Sequence, residues 1–378
     1  MVQWTKLYYV MNYGGMHMNR RIHQAAISAM LILVMICVLA RGAEMPSASQ
    51  SARDILTKTG VKGGLVVHVG CDDGTLTTAL RANSSYLVHG LDTDMEQVEE
   101  ARRTVHDENL YGPVCIDHFD GDNLPYIDNI VNLIVAEEPT RVSAEEMMRV
   151  LAPQGVMYVQ RNGRWTKTIK PRPEQIDEWT HYMHDASGNA VAHDTVVGPP
   201  RHFQWIGSPR WSRHHEHMSS ISGAVSANGR LFYIVDEGPK SSIHLPAEWK
   251  LVARDAFNGA VLWKRDVPTW FTQLWPLKSG PAQLPRRIIA IGDRVYVTLG
   301  IDAALVALEA ATGELLQKYE GTAATEEVIY SDGILFVVVN DDPMDRNQYV
   351  PKHMICWNET GRVAKELAWN EQIGRAHV

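Results

Sequence analysis

Cysteine is scarce in this 378-residue chain. The four cysteines, Cys37, Cys71, Cys115 and Cys356, are far apart and form no CxxC pair. That excludes a zinc ribbon and a disulfide framework, and leaves small, buried apolar side chains as their ordinary role. Basic charge is also in deficit. With 36 Lys and Arg against 44 Asp and Glu, the net charge of −8 argues against a nucleic-acid partner, which calls for a basic face. A bilayer-length apolar run is missing too. The uncharged run Ala25 to Ala40 is about 16 residues, short of the roughly 20 that a spanning helix needs. Tryptophan is absent between Glu44 and Arg164, although ten of the eleven lie from Trp165 to Trp369. A change of architecture is therefore expected near residue 164.

What is present begins with an export pattern. Asn19-Arg20-Arg21 provides a positive start, Ala25–Ala40 the apolar stretch, and Val38-Leu-Ala40 or Arg41-Gly-Ala43 a small residue for cleavage. Residues 1–43 are read as a cleaved signal peptide, with a retained anchor as the alternative. The protein is thus expected to be exported, periplasmic or membrane-anchored. At the other end, Ile373-Gly-Arg-Ala-His-Val378 is what the codons ATC GGA AGA GCA CAC GTC encode. That string resembles a common sequencing adapter, so residues 373–378 are read as an artefact and the gene is expected to continue.

From residue 50 to 164, short Val/Ile/Leu runs alternate with helix-like segments at Asp94–Asn109 and Ser143–Leu151. This pattern predicts βαβ units around a parallel sheet. Four motifs follow one another within it. A glycine turn closes an apolar run, Leu65-Val-Val-His-Val-Gly70-Cys-Asp-Asp-Gly74. An acid ends the next, Val88-His-Gly-Leu-Asp92. Then come Asp120-Gly-Asp-Asn-Leu124-Pro125-Tyr126 and Arg149-Val-Leu-Ala-Pro153-Gln-Gly155. Glycine lets backbone N–H groups approach a ligand, and an acid at a strand tip accepts ribose hydroxyls.

In this order the motifs resemble the class I S-adenosylmethionine-dependent methyltransferases. The resemblance implies a Rossmann-like α/β sheet with S-adenosylmethionine as cofactor and methyl transfer to an unknown acceptor. It implies Asp92 on the ribose, Asp120 on the adenine amino group, and Leu124 and Tyr126 beside the adenine. Gly70 and Gly74 would line the methionine part. Two positions depart from the family. His68 stands where an acid usually precedes the first glycine, and Asp72 replaces the middle glycine. Asp72 or Asp73 is a candidate substitute for the missing carboxylate. Five parallel strands are expected, with the closing hairpin missing or replaced after Arg164. Glu137-Glu138-Pro139 falls on the acceptor side, where a carboxylate would serve as a general base or simply belong to a solvated loop.

Residues 165–204 read as a connector containing Asp177-Glu-Trp179-Thr-His-Tyr-Met-His-Asp185. Residues 205–372 read as all-β, with one strand signal used three times: Asn228-Gly-Arg-Leu-Phe-Tyr-Ile-Val235, Gly292-Asp-Arg-Val-Tyr-Val-Thr-Leu299 and Asp332-Gly-Ile-Leu-Phe-Val-Val-Val339. Each precedes a turn closed by glycine, at Gly259, Gly313 and Gly361, with spacings of 54 and 48. Such a period suits propeller blades of roughly 40–50 residues. The repeats resemble the pyrroloquinoline-quinone-type β-propeller, present here as a partial ring of three or four blades. That resemblance implies two alternatives to methyl transfer. One is a scaffold whose propeller binds a partner. The other is a truncated oxidoreductase using pyrroloquinoline quinone with calcium. Seven of the sixteen histidines lie between His181 and His217. His214, His215 and His217 are candidate metal ligands with His181, His184 or His193, hydrogen-bonded or solvated histidines being the alternative.

Overall fold

The computed structural model describes residues 47–137, 140–196, 198–199, 203–208, 211–213, 220–242, 245–268, 270 and 284–340. The export pattern, the third repeat at Gly361, His214, His215 and His217, and the C-terminal hexapeptide lie outside them. Among the described residues no helix is long and apolar enough to cross a membrane. The described residues from Ala48 onward form one compact unit.

Its first part alternates helices and strands: α1 (Ala48–Thr59), β1 (Gly64–Val69), α2 (Thr75–Leu80), β2 (Tyr86–Asp92), α3 (Met95–Asp107), β3 (Val114–His118), β4 (Val131–Ala136), α4 (Ala144–Val150), β5 (Leu151–Arg161) and β6 (Arg164–Ile169). The strands form one sheet in the order β3-β2-β1-β4-β5-β6. The first five are parallel, and β6 runs antiparallel to β5. Strands β1 and β4 are covered on both faces, which explains their unbroken apolar runs. Helix α3 is capped by the Asp94 carboxylate, which accepts the N–H of Glu96, and buries Val98, Ala101 and Val105 on one stripe. Helix α4 starts with Ser143 accepting the N–H of Glu146.

The five expected parallel strands are present, and β6 extends the sheet antiparallel into residues that the sequence reads as connector. Arg161-Asn162-Gly163-Arg164 is a tight hairpin, with φ of +50° at Asn162 and +72° at Gly163. Two consecutive left-handed residues match the twist of the strands they join. Trp165 of β6 stacks on Tyr158 of β5 at 4.6 Å between ring centres.

The second part contains β7 (Ile221–Ala227), β8 (Arg230–Asp236), β9 (Trp249–Asp255) and β10 (Val261–Asp266), an antiparallel meander. A second meander of four follows, with β11 (Ile288–Ile291), β12 (Arg294–Thr298), β13 (Leu305–Glu309) and β14 (Leu315–Lys318). The hairpin of β15 (Thr325–Ser331) and β16 (Ile334–Val339) comes last. Phe232, Ile234 and Leu251 of the first meander share one buried cluster with Ile288, Val297 and Leu308 of the second. The meanders therefore pack face to face.

The same tryptophan contact recurs in both meanders. Trp205 donates from Nε1 to the carbonyl of Ala256 at 3.0 Å, and a Cβ on Gly259 would lie 2.3 Å from its ring. Trp263 donates to the carbonyl of Ala310 at 2.9 Å, and a Cβ on Gly313 would lie 2.7 Å from its ring. In each turn the glycine follows the acid, Asp255 or Glu309, by four residues, so the ring lies where a side chain would be.

The two parts are joined by side chains as well as by the connector. Asn132 of β4 donates to Asp255 at 2.7 Å, and Asn258 donates to Asn132 Oδ1 at 2.7 Å and to the carbonyl of Ile130 at 2.8 Å. The connector crosses the first strand of each sheet of the second part. Ser226 of β7 donates to the carbonyl of Trp179, Ala290 of β11 to that of Thr180, and Tyr330 of β15 to His181 Nε2.

Candidate functional site

A cleft of about 770 Å³ opens at the carboxyl edge of β1, β2, β3 and β4. Gly70, Asp72, Asp92, Asp120, Glu137 and Arg141 are among its lining residues. The turn after β1 places left-handed residues at alternate positions, Gly70 at φ +76°, Asp72 at +43° and Gly74 at +80°. Gly70 and Gly74 are needed for different reasons. A Cβ on Gly70 would meet nothing within 4 Å, so glycine is required there for conformation alone. A Cβ on Gly74 would lie 2.9 Å from the Cα and Cβ of Ala101 in α3. Gly74→Ala is therefore expected to cost about 2–3 kcal/mol, against about 1–2 kcal/mol for Gly70→Ala, read as urea midpoints. Equal losses would refute the packing role of Gly74.

Asp92 ends β2 and is 8% exposed. Its carboxylate accepts the N–H of Asp72 at 3.2 Å and that of Asp94 at 3.0 Å. A carboxylate has roughly four acceptor sites, so two backbone donors leave capacity for a ligand hydroxyl. Asp120 is solvent-exposed and caps its own loop, accepting the N–H of Asp122 at 2.9 Å and of Asn123 at 2.8 Å. The backbone donors from Asn123 and Asp122 hold its carboxyl below the usual range. Partial burial, then the charges of Asp92 and Asp73, push the Asp72 carboxyl up. Partial burial and Asp72 do the same to Glu137. Two of the cleft acids, Asp72 and Glu137, thus carry a destabilised negative charge, a setting that favours a cationic guest.

Asp72 holds a left-handed conformation that glycine adopts freely. Asp72→Gly is expected to stabilise the fold by about 1 kcal/mol, read from thermal unfolding, by removing both the strain and the repulsion of Asp92. An unchanged or lower melting temperature would count against this.

Other residues singled out from the sequence lie elsewhere. Leu124 does not line the cleft. It is 3% exposed, packs with Phe119 and Met147, and gives its N–H to Glu146 at 2.8 Å. The reason is that Asp120 folds its own loop back and directs Leu124 into the core. The Tyr126 hydroxyl is 2.6 Å from His89 Nδ1. Gly74 supports the cleft from behind, against α3. His68 is buried, with Nδ1 2.7 Å from the Thr77 hydroxyl. Burial pushes it down to about 4, outweighing the opposing pull of Asp92, so the ring is neutral. It contacts α2 and is not a cleft wall. Glu138 and Pro139 lie outside the described residues.

Sequence reading did not identify Arg141 or His118. Arg141 donates to the carbonyl of Asp120, and its Nε is 3.5 Å from Asp122. His118 Nε2 is 3.1 Å from the carbonyl of Thr93. Both reach the cleft from loops or strand ends that carry no motif.

Comparison with known proteins gives the same region. Residues 66–155, about a quarter of the chain, match the methyltransferase domain family. No curated protein matches the chain. Among solved structures it is similar to a putative S-adenosyl-L-methionine-dependent methyltransferase from Methanococcus maripaludis, at 22% identity over 40% of this chain and 67% of that one, with a TM-score of 0.28. It is also similar to geranyl diphosphate C-methyltransferase from Streptomyces coelicolor, at 18% identity over 29% and 44%, TM-score 0.28. A putative methyltransferase of Haloferax volcanii, solved with its Trm112 activator, gives 28% identity over 29% and 50%, TM-score 0.26. The chain spans half or less of the length of the last two structures.

Proposed function

We propose that the first part of this protein binds S-adenosylmethionine and transfers its methyl group. The observation that carries the reading is Asp92, buried at the tip of β2 and sharing one cleft with Gly70 and Asp120. In this reading Asp92 accepts the two ribose hydroxyls, and Asp120 uses a remaining lone pair for the adenine amino group. Bound there, the donor supplies a methyl on a positively charged sulfur, which leaves as a neutral thioether once the methyl has bonded to an acceptor. Asp72 and Glu137 provide the negative field that a cation needs, and Glu137 is placed to take the proton an acceptor would lose. The methionine half fits less well, because His68 faces Thr77 rather than the cleft.

Calorimetry of the full chain with S-adenosylmethionine tests this. Saturable heat and a raised melting temperature are expected. No heat and no thermal shift at millimolar ligand would overturn the proposal. Binding is also expected to weaken on acidification, beginning above the ordinary carboxylate range. Asp72 and Glu137 both have raised values, so falling pH neutralises them early and removes attraction for the cation. Affinity that is flat through that range would count against their role.

A separate observation favours reading the second part as a quinone-type β-propeller. Two four-stranded meanders in the same order carry the same tryptophan-on-glycine contact, and a third hairpin follows them. On this reading the propeller is a platform for a partner, in a protein exported or anchored through residues 1–43. A quinone oxidoreductase is the rival, and calcium- and quinone-dependent dye reduction by the protein would favour it.

A further inference from the structure

The connector brings Asp177, His184 and His193 together, and we propose that they bind a divalent first-row transition ion, with zinc as the probe. One ligand-competent atom from each lies within 4.8 Å of the others. His184 Nε2 is 2.7 Å from Asp177 Oδ2. Asp177 is held in place by the N–H of Glu178 on Oδ1, at 2.7 Å, and by the N–H of His193 on Oδ2, at 2.5 Å. The rings of His184 and His193 meet edge to face with centres 4.9 Å apart. Two imidazoles and one carboxylate are a borderline donor set. It suits zinc, copper or nickel better than calcium or magnesium, which prefer all-oxygen cages.

The buried Nδ1 of His184 is explained by an ion. The residue is 3% exposed and is held at φ +77°, a conformation uncommon for a side-chain-bearing residue. Its Nδ1 is buried without a hydrogen-bond partner, yet Asp185 Oδ2 lies 3.5 Å away. A neutral ring that donates from Nε2 to Asp177 presents a bare lone pair to the Asp185 carboxylate. An ion on Nε2 moves the proton to Nδ1, which then donates to Asp185. This is the carboxylate–histidine–metal arrangement that fixes a ligand's tautomer. Asp185 is itself fixed by the N–H and hydroxyl of Ser187, at 2.8 and 2.6 Å. The rival arrangement, an imidazolium bridging both carboxylates, takes up no metal.

The place in the fold gives the ion a role. Trp179, Thr180 and His181 are hydrogen-bonded to β7, β11 and β15 in turn. Trp179 also packs against the His184 ring, with centres 5.2 Å apart. An ion between Asp177, His184 and His193 therefore closes the loop that ties three sheets together. Three protein ligands leave one tetrahedral position for water.

The test is zinc titration of the full chain after chelator treatment, in competition with a chromophoric chelator, and with cobalt(II) as a spectroscopic substitute. The expected result is one equivalent of zinc per chain, visible ligand-field bands with cobalt, and a higher melting temperature with metal. His193→Ala, at an exposed position, is expected to weaken zinc by about 100-fold or more. Asp185→Asn should weaken it by about 10-fold, as loss of an outer partner does. The absence of bound zinc in the unmodified protein would overturn the proposal. Binding equally tight in His193→Ala would overturn it too, and would place the ion elsewhere, for example among His214, His215 and His217.

Discussion

Asn132→Ala is expected to destabilise the protein by about 3–5 kcal/mol, because one side chain serves both parts of the fold. Its Oδ1 accepts the N–H of Leu65 at 2.8 Å and the amide of Asn258, while its Nδ2 donates to Asp255. Alanine leaves those donors without their acceptor and removes one donor from a buried carboxylate. Asp255 is 6% exposed. Burial pushes its carboxyl up, against the hydrogen bonds from Asn132, Asn258 and Phe257. Because its folded value is raised, the folded state retains this proton more strongly than the unfolded state. Its contribution is most favourable at acid pH and declines as pH rises from the ordinary carboxylate value through the raised one. Without Asn132 the value rises further, so the cost of the substitution should be greater at neutral pH than near pH 4. Urea unfolding at both pH values checks this. An identical cost at the two would refute the coupling between Asn132 and Asp255.

On the proposed ribose role of Asp92, Asp92→Asn is expected to weaken S-adenosylmethionine by about 100-fold, the loss that charge-assisted bonds to two hydroxyls would bring. Asp92→Ala should weaken it at least as much and also cost about 1–3 kcal/mol of stability, because the N–H groups of Asp72 and Asp94 lose their acceptor. Asparagine keeps one carbonyl oxygen for those donors, so it separates the turn from the ligand. Calorimetry gives the affinity and thermal unfolding the stability. Wild-type affinity in Asp92→Asn would remove the ribose assignment even if the domain still bound the donor. Unchanged stability in Asp92→Ala would show that the turn does not depend on this carboxylate.

Much of the first part was legible because its signals are local. The buried strands are continuous apolar runs, and Asp94 and Ser143 announce the two helices that follow them. The sixth strand was not legible in the same way. Its side chains are mostly exposed, and the sequence Arg164-Trp-Thr-Lys-Thr-Ile169 has no apolar run to set it apart from a connector. The signal that could have found it is Asn162-Gly163. The same kind of left-handed pair joins β7 to β8 at Asn228-Gly229 and β15 to β16 at Asp332-Gly333. Leu124 shows a different limit. A motif fixes the order of residues, but Asp120 binding the N–H groups of Asp122 and Asn123 decides which way the loop turns. That turn carries Leu124 under α4.

The cleft residues divide the same way. Gly70, Asp72, Asp92 and Asp120 were identifiable from their positions after apolar runs, and the fold gathers all four around one cavity. Arg141 and His118 have no such marker, and only the folding of their loops and strands brings them there.

By itself the sequence determined the backbone turns, the helix starts and the α/β-then-β order, since each depends on a few neighbouring residues and their allowed φ. Only the tertiary structure decided how the two parts meet and where buried charge lies. Asn132 and Asp255 are 123 residues apart, and His181 and Tyr330 are 149 apart. Such pairs form only after the sheets have packed. Their strength comes from removing polar groups from water, which no single stretch of sequence records.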